Sequence, residues 1–482
     1  MNSYYNRYAK NWQYVDDVYN GAGTVKSPER AKAYLKPIPS EVGKEDLYQQ
    51  RLGLTHFENA FRPVVDAAVG IMQKCPAKVR FGVESDEESP PEVRELDIYG
   101  NAQNDGLAGL KRRLNHQQTL YGRCGLLLDV DTDLDGLHPR FLIHEYPATQ
   151  ILDGESGKWY LLDESRQRFD ADKKDWADEK RWRVLGLDAG GVYYSYPLVG
   201  TAEEVEKAWQ EFNLSAPPGS WEENGIVMSS YPNFKGRFCN KIPFTVCNAK
   251  SIGFDNWEIP PYIDVAYAVV DAYNADSFYR KAIVNHATPT LVLKNVALAK
   301  DAKGNELPIT LGGTLQINNN NHGNGEAVID LVQASSAGLT ALKEARDSTL
   351  DVLKRISIQD LLDGAGANSS GDAIQLRMIA GTATITDIDL AGEKAIEEQL
   401  CFAAYWAGAT WAEVGERISY EIDTSYSKTD FSLGEVTSLM VANAAQKLLS
   451  RQALYELIRQ KANCIPDWLD NVAQFEAVEE VL

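Results

Sequence analysis

The chain has 482 residues, of which 48 are basic and 69 are acidic, so its formal net charge is −21. A hydrophobic content of 44% and an aromatic content of 10% are typical of a globular protein rather than a disordered one. The length indicates two to four sub-structures. A protein that holds DNA by its phosphates needs the opposite charge, so the composition argues against such contacts but leaves open a protein that surrounds DNA.

The sequence also argues against membrane-spanning, secreted and zinc-binding proteins. No apolar run reaches the ~18 residues that a membrane span needs. The N-terminal segment MNSYYNRYAKNW has no basic region followed by an apolar core, so we expect no signal peptide. The six cysteines form no Cys-x-x-Cys pair, and we expect them to be free thiols in a reducing compartment.

The first long elements in chain order are predicted to be helices. Residues 45–75 carry apolar residues at helical spacing, which predicts one long helix that Pro63 bends or divides. The acidic, proline-bearing residues 82–95 are predicted to form an exposed loop. A second helix is predicted at about 102–120, ended by the Tyr-Gly pair at 121–122.

Short apolar or alternating runs, separated by Gly and Asp, predict a mostly antiparallel β region over residues 124–250. This region holds a metal-like pattern, Asp131-x-Asp133-x-Asp135-Gly136, which matches the first half of an EF-hand loop. The twelfth position is Leu142, where a bidentate Glu is needed, and the flanks are predicted strands. A solvated hairpin turn is therefore favoured over a calcium site.

The second half of the chain is predicted to be mainly helical around a small β-rich segment. Helices are predicted at 261–285 and about 336–358, with strand-like runs between them, and residues 372–482 are predicted to be mostly helical. The packing anchors expected in this last region are Trp406, Trp411 and Trp468.

The helix predicted at about 336–358 carries one apolar stripe, made by Leu339, Leu342, Leu350, Leu353 and Ile356. By spacing alone, this stripe fits either a surface helix of a monomeric domain or a subunit contact in a ring.

A loop rich in Gly, Asn and Ser separates the last two predicted helices. The stretch 355–380 reads RISIQDLLDGAGANSSGDAIQLRMIA, and its loop ends in Asn368-Ser369-Ser370-Gly371. Ser370 is suited to cap a helix that opens at Asp372. Taken alone, such a stretch is more often an ordinary helix–loop–helix connection, because Gly/Ser loops are common.

Motifs of familiar enzymes are missing from the sequence. It contains no Gly-x-x-x-x-Gly-Lys-Ser/Thr phosphate loop and no Gly-x-Ser-x-Gly elbow. His144-Glu145 begins like a zincin motif, but Ala148 stands where the second His is needed. The rival hypothesis is an enzyme, a metal-dependent hydrolase that uses Asp129 to Asp135.

Five segments of the chain resemble, in order and spacing, the portal proteins of tailed bacteriophages. They cover about 45 to 460. They are Tyr48 to Phe81 with its Phe57-Glu58-Asn59 run; Leu120-Tyr121-Gly122-Arg123 before the strand GLLLDV; Ile242-Pro243-Phe244, Pro260-Pro261-Tyr262-Ile263-Asp264-Val265-Ala266, Tyr273 to Tyr279 and Pro289; Ser370-Gly371; and Asp430-Phe431.

The resemblance implies an α+β, portal-like fold with long stem helices, a β-rich wing, a small α/β clip and a helical C-terminal crown. Residues 1–260 would form the N-terminal region and wing. The remaining parts would be the first stem helix (261–285), the clip (286–335), the second stem helix (336–358), the tunnel loop with the return to the wing (359–400) and the crown (401–482).

The resemblance also implies a non-enzymatic virion protein without a cofactor, present in the host cytoplasm during assembly. Twelve copies would form a head-to-tail connector ring at one capsid vertex. Double-stranded DNA would pass through its channel, without specific binding, during packaging and ejection. The implied partners are the terminase large subunit, capsid and scaffold proteins, and a tail adaptor. The alternatives are the metal-dependent hydrolase, which would then be phage-borne, and a non-portal scaffold or adaptor protein in a virion.

Three sets of site residues follow from the resemblance. The tunnel loop would present Asp360, Leu361, Leu362, Asp363, Gly364, Asn368, Ser369 and Ser370 to the channel. The terminase-facing end of the clip would consist of Asn318, Asn319, Asn320, Asn321, His322 and Gly323. The stem contacts would be made by Tyr262, Val269, Leu339, Leu342, Leu350 and Leu353.

Overall fold

The structure, a computed structural model, describes part of the chain. The described residues are 3–75, 77–81, 91–99, 103, 105–131, 139–170, 175–223, 226–287, 290–294, 297–298, 317–318, 328–332, 336–356, 371–410, 418–422 and 424. Their helices are α1 Ser3–Asn20, α2 Ala22–Val25, α3 Ala31–Tyr34, α4 Glu45–Leu54, α5 Phe61–Met72, α6 Pro91–Tyr99, α7 Gly106–Tyr121, α8 Ala202–Glu211, α9 Ile263–Ala287, α10 Ser336–Ile356 and α11 Gly371–Ala407.

The strands make an α+β protein of the described chain, as the sequence predicts at that level. They are β1 Ala77–Phe81, β2 Arg123–Asp131, β3 Arg140–Pro147, β4 Ile151–Glu155, β5 Trp159–Asp163, β6 Arg166–Asp170, β7 Asp175–Leu187, β8 Tyr193–Gly200, β9 Ser220–Glu223, β10 Ile226–Ser229, β11 Asn233–Phe234, β12 Arg237–Phe238, β13 Phe244–Asn248, β14 Thr290–Lys294, β15 Ala297–Leu298, β16 Ile317–Asn318, β17 Val328–Val332 and β18 Ile418–Ile422.

The helix predicted over 45–75 is divided in two, which is one of the two expected alternatives, but the division lies at 55–60 and not at Pro63. The chain leaves the helical conformation after Leu54, and α5 starts at Phe61. Asn59 Oδ1 accepts a hydrogen bond from the Arg62 N–H at 3.1 Å, which satisfies one free donor at the start of α5. Pro63 is the third residue of α5, where a missing N–H costs no helical hydrogen bond.

Of two other predicted boundaries, one needs correction and one is confirmed. The loop expected at 82–95 gives way to α6, which starts at Pro91; residues 82–90 lie outside the described part. The helix expected near 102–120 is α7, and it ends at Tyr121 as predicted because Gly122 adopts the left-handed conformation (φ 76°).

The antiparallel β region predicted over 124–250 is confirmed. One sheet has the order β13-β2-β3, and β2 and β3 form the hairpin that flanks the acidic turn, with Asp131 paired with Arg140. The larger sheet is organised by β7, which pairs with β6 over its first half and with β5 and β8 over its second half. Helix α8 is inserted after β8, where Thr201 and Glu204 form a capping box.

Helices α9 and α10 pack against each other, and the antiparallel pair β14–β17 joins their ends, with Thr290 opposite Val332. Helix α11 then runs to Ala407, where Trp406 is buried as predicted. Residues 372–482 are predicted to be mostly helical, and the described part is helical to Ala407 but also contains the strand β18, which pairs antiparallel with β1. The other two predicted anchors, Trp411 and Trp468, lie outside the described residues.

Three hydrophobic clusters organise the described residues. The largest joins α7 and α11 to the sheet β13-β2-β3 and to β18. The second joins α1, α4 and α5 to the first half of α9. The third lies between the larger sheet and α8. The five described cysteines are free thiols, and no helix of the described residues is long and apolar enough to cross a membrane.

Candidate assembly surface

The helical pair formed by α9 and α10 is the candidate functional surface, because apolar side chains on both helices are left exposed or only half-buried. The first half of α9 is built into the second hydrophobic cluster, and Val265, Val269 and Tyr273 are buried there. Helix α10 packs along α9, with the Arg346 guanidinium 5.3 Å from the centre of the Tyr279 ring. A cation over an aromatic face contributes about 0.5–1 kcal/mol at such exposed sites.

Helix α10 has no buried side chain among its described residues 338–352. Its apolar stripe, represented there by Leu339, Leu342 and Leu350, is only half-buried against α9. On α9, Tyr267 and Phe278 lie eleven positions apart, about three helical turns, and therefore on one side. Their exposed fractions are 43% and 44%. The apolar side chains that form the stripe of α10 are therefore only partly buried by packing within the chain.

A buried ion cluster fixes α9 to the N-terminal helices. The Arg51 Nε donates to Glu41 Oε1 at 2.8 Å, and another Arg51 nitrogen donates to Ser277 Oγ at 2.7 Å. The Lys281 Nζ donates to Glu41 Oε1 at 3.0 Å. Burial opposes ionisation of Glu41, but the hydrogen bonds from Arg51, Lys281 and the Ile38 N–H outweigh it and hold the pKa of this carboxyl below its usual 4.5.

The structure describes only some of the predicted site residues. All eight residues of the predicted tunnel loop lie in the segment 357–370, outside the described residues, and so do five of the six clip residues. The sixth, Asn318, belongs to β16, which pairs with β15.

The predicted stem contacts differ among themselves. Val269 is 1% exposed inside the chain's own core, so it is not available to a second copy in this conformation. Tyr262 and Leu350 pack against the same cluster. Leu353 belongs to α10, and its side chain is not among those described. Phe278, which the sequence does not single out, is the more exposed apolar residue.

The two described aspartates of the rival metal-site hypothesis both accept hydrogen bonds from arginines. Asp129 Oδ2 accepts a hydrogen bond from Arg183 at 2.8 Å, and Asp131 accepts one from Arg140 at 3.0 Å. Arg183 also lies 2.7 Å from Glu164, so its charge is shared between two carboxylates. Among the described residues, no group of three or more His, Cys, Asp or Glu is placed to hold a metal ion.

Sequence reasoning missed both of these charge networks. Glu41 lies in a three-residue 3₁₀ helix within a stretch without periodicity, and Arg51 lies on a helix whose spacing shows no charged partner within reach. The partners are 10 and 226 positions away along the chain. Only the tertiary fold brings them together.

No family model matches this chain, and no curated protein matches it. Among solved structures, the chain is similar to one described as the neck of an empty gene transfer agent (GTA) particle computed with C6 symmetry, at a TM-score of 0.39 and 13% identity, over 82% of this chain and 88% of that chain. It is similar to the neck of a native GTA particle computed with C12 symmetry at a TM-score of 0.36 and 14% identity, over 84% and 89% of the two chains. It is also similar to a chain of the virion of a native GTA particle at a TM-score of 0.36 and 13% identity, over 82% and 88%.

Proposed function

We propose that the chain is a portal protein, which assembles into a ring at the vertex of a phage-like capsid and lets double-stranded DNA pass through its centre. The observation that carries this proposal is the incomplete burial of helix α10. Its leucine stripe is only partly buried within the chain, and no side chain at 338–352 is buried. An amphipathic helix stabilises a protein by burying its apolar face, so the uncovered part of this stripe favours a second copy as its partner.

Two further observations support the proposal of a portal protein. The element order α9, a strand-bearing insert, α10 and then α11 matches the stem, clip and stem order that the sequence resemblance implies. The net charge of −21 suits a channel through which DNA slides, since lysines and arginines that bind phosphates would retard it. The proposal assigns the channel lining to the predicted tunnel-loop residues between 360 and 370 and the motor-docking end to residues 318–323.

The proposal is tested by particle shape and mass. Negative-stain microscopy of the purified chain is expected to show rings with a central hole, and mass photometry is expected to show a species many times the 53.5 kDa of one chain. A stable species of one chain mass over a wide concentration range would contradict the proposal.

A substitution on α9 makes the test specific to the helical pair. Phe278→Glu puts a charge on the exposed stripe, and we expect it to shift the ring towards free subunits that keep their circular-dichroism spectrum, because the side chain is 44% exposed within one chain. Ile98→Glu is the matched control, since Ile98 is 59% exposed on α6. Rings that tolerate Phe278→Glu as well as Ile98→Glu would place the contact elsewhere.

A further inference from the structure

Helix α9 separates two surfaces of the chain. On one side of it, the Lys281 Nζ donates to Glu41, and Ser277 Oγ accepts a hydrogen bond from helix α4. Tyr279, which contacts Arg346 of α10, lies two positions from each of these α9 residues. Two positions along an α-helix correspond to a rotation of about 200°. The N-terminal segment and α10 therefore lie on opposite sides of α9, at the same height along it.

The N-terminal side presents a short basic loop, residues 36–44, which we call the lysine loop. Its only acidic residue, Glu41, is buried and paired with cations, so the charges that the loop exposes are those of Lys36 and Lys44. Val42, the next residue after Glu41, is 71% exposed. The buried carboxylate therefore fixes a loop that holds an apolar side chain in solvent between two lysines.

The carboxylates that follow the lysine loop only partly offset its charge. Glu45 pairs with Lys32 at 2.9 Å, so these two charges cancel each other. Asp46 is exposed in the first turn of α4, where the helix dipole favours a negative charge. The loop is therefore a positive area on a chain whose net charge is −21.

The opposite side of the chain presents the outer face of α10. Glu344 and Ser348 lie two positions before and after Arg346, which contacts α9, so both point away from α9. Exposed residues continue this face at helical spacing, and we call it the outer stripe. Its members are Ala341, Glu344, Ala345, Ser348, Asp351 and Val352.

The outer stripe is acidic and carries small side chains. Among the side chains described at 338–352, three are acidic, and Lys343 is the one exposed cation. Ala341, Ala345 and Ser348 do not fill the space beside Glu344, because their side chains end at or next to the Cβ atom. The stripe therefore complements the lysine loop in charge, and it offers a shallow groove for an apolar side chain.

We propose that the lysine loop of one copy docks on the outer stripe of the next copy in the ring. Val42 lies over Ala341 and Ala345 in this contact. Lys36 and Lys44 of the loop meet the carboxylates of the stripe. The inference rests on the proposed function, because it needs a second copy, and it adds to the contacts of the leucine stripe and of α9.

The placement of the two surfaces fits a closed ring. Each copy offers on one side of α9 the complement of what its neighbour presents, which is a head-to-tail contact rather than a two-fold one. Copies of a ring are related by rotation without a shift along the axis. Surfaces at the same height along α9 can therefore meet between neighbouring stem helices.

Paired cysteines test the contact in the full chain. Val42→Cys with Ala345→Cys puts one thiol on each surface, and each thiol adds across one double bond of a bifunctional maleimide. Helix α9 separates the two positions within one chain, so the linker joins neighbouring copies, and we expect a ladder of linked chains on a denaturing gel. Val42→Cys with Lys207→Cys, on the exposed face of α8, is the matched control and is expected to give no ladder.

Charge reversal gives a second readout. Lys36→Glu with Lys44→Glu, or Glu344→Lys with Asp351→Lys, places like charges opposite each other. We expect either pair to raise at least about tenfold the protein concentration at which half of the chains leave the ring, as measured by mass photometry. All four changes together are expected to restore part of this loss. Lys207→Glu is the control, and no change is expected from it.

The outcomes separate this contact from the ring itself. Rings without a ladder, a ladder of equal strength in the control pair, or rings that tolerate both charge reversals would each overturn this proposal and leave the proposed function standing. A parent protein with the mass of a single chain would overturn the proposed function, and this contact with it. The parent protein also measures the background of linkage through the native cysteines.

Discussion

Glu41 and Arg51 illustrate how a few buried charges fix the position of a long helix. Their side chains are 0% and 2% exposed, and their partners Ser277 and Lys281 both belong to α9. A buried ion pair with all its hydrogen bonds contributes little net stability by itself, but the loss of one partner leaves the other charge buried without a counter-charge. The cluster therefore acts as an attachment point between the N-terminal helices and the candidate assembly surface.

We expect Glu41→Gln to lower the free energy of unfolding by about 3 kcal/mol, because it leaves Arg51 buried without a counter-charge. Chemical denaturation followed by circular dichroism measures the change. Glu45→Gln is the matched control: Glu45 pairs with Lys32 at 2.9 Å, but both side chains are more than half exposed, so no measurable change is expected. Equal losses for the two variants would show that burial of the cluster does not matter.

The same carboxyl predicts a pH dependence. The folded protein holds the pKa of Glu41 below the 4.5 of an ordinary Glu. Its contribution to stability is therefore fully present above about pH 4.5 and is lost as the pH falls through the lowered pKa. We expect the stability difference between the parent protein and Glu41→Gln to shrink as the pH falls below 4.5. A difference that grows with acidification would contradict this assignment.

At the scale of elements, the packing of α7 against α11 depends on one glycine. A Cβ on Gly392 would lie 3.1 Å from Asn115 Oδ1 and 3.2 Å from Gln118 Oε1, both on buried residues of α7. We expect Gly392→Val to push the helices apart and to lower the free energy of unfolding by about 1–3 kcal/mol.

Gly70→Ala provides the matched comparison for Gly392→Val. Both glycines are helical, but the Cβ on Gly70 meets nothing within 4 Å, so this variant is expected to gain about 0.5–1 kcal/mol of helix stability. Thermal unfolding of the two variants and the parent protein measures both changes in stability. A Gly392→Val protein as stable as the parent would mean that α7 and α11 adjust to the added side chain without cost.

Several elements were predictable from the sequence because local signals define them. The Tyr-Gly pair at 121–122 ends α7 because the glycine adopts a left-handed conformation, and the alternating runs of 124–250 become strands. Pro63 does not mark the division between α4 and α5, because a proline is permitted in the first turn of a helix. The chain leaves the helical conformation after Leu54, and Asn59 accepts a hydrogen bond from the Arg62 N–H in the first turn of α5. Strand β18 is set by its partner β1, far away in the sequence, and no local pattern reveals that pairing.

The candidate surface was predictable only in outline. The leucine stripe of α10 identifies an amphipathic helix, but spacing does not say which apolar positions the chain covers itself. Helix α1, to which the sequence analysis assigns no role, packs on the first half of α9, and Tyr14 lies 4.8 Å from Tyr267 between ring centres. Val269 is therefore internal while Phe278 is exposed.

At the scale of the whole molecule, charge relates the subunit to the DNA in the proposed channel. With a net charge of −21 per chain, a ring of such chains would repel phosphates as a whole, so DNA in the proposed channel is expected to stay centred rather than bound.

The proposed channel lining gives the last prediction, although Asp363 lies outside the described residues. If each copy presents Asp363 to the channel, Asp363→Lys replaces a repulsive charge by an attractive one in every subunit. We expect it to slow DNA packaging at low salt and to recover partly at high salt, because the Debye length falls from about 10 Å at 0.1 M to about 3 Å at 1 M. Ring formation, checked by mass, is expected to be normal. Glu203→Lys makes the same charge change on an exposed residue of α8 and is expected to leave the packaging rate unchanged. A packaging rate that depends neither on Asp363→Lys nor on the salt concentration would mean that this segment does not face the DNA.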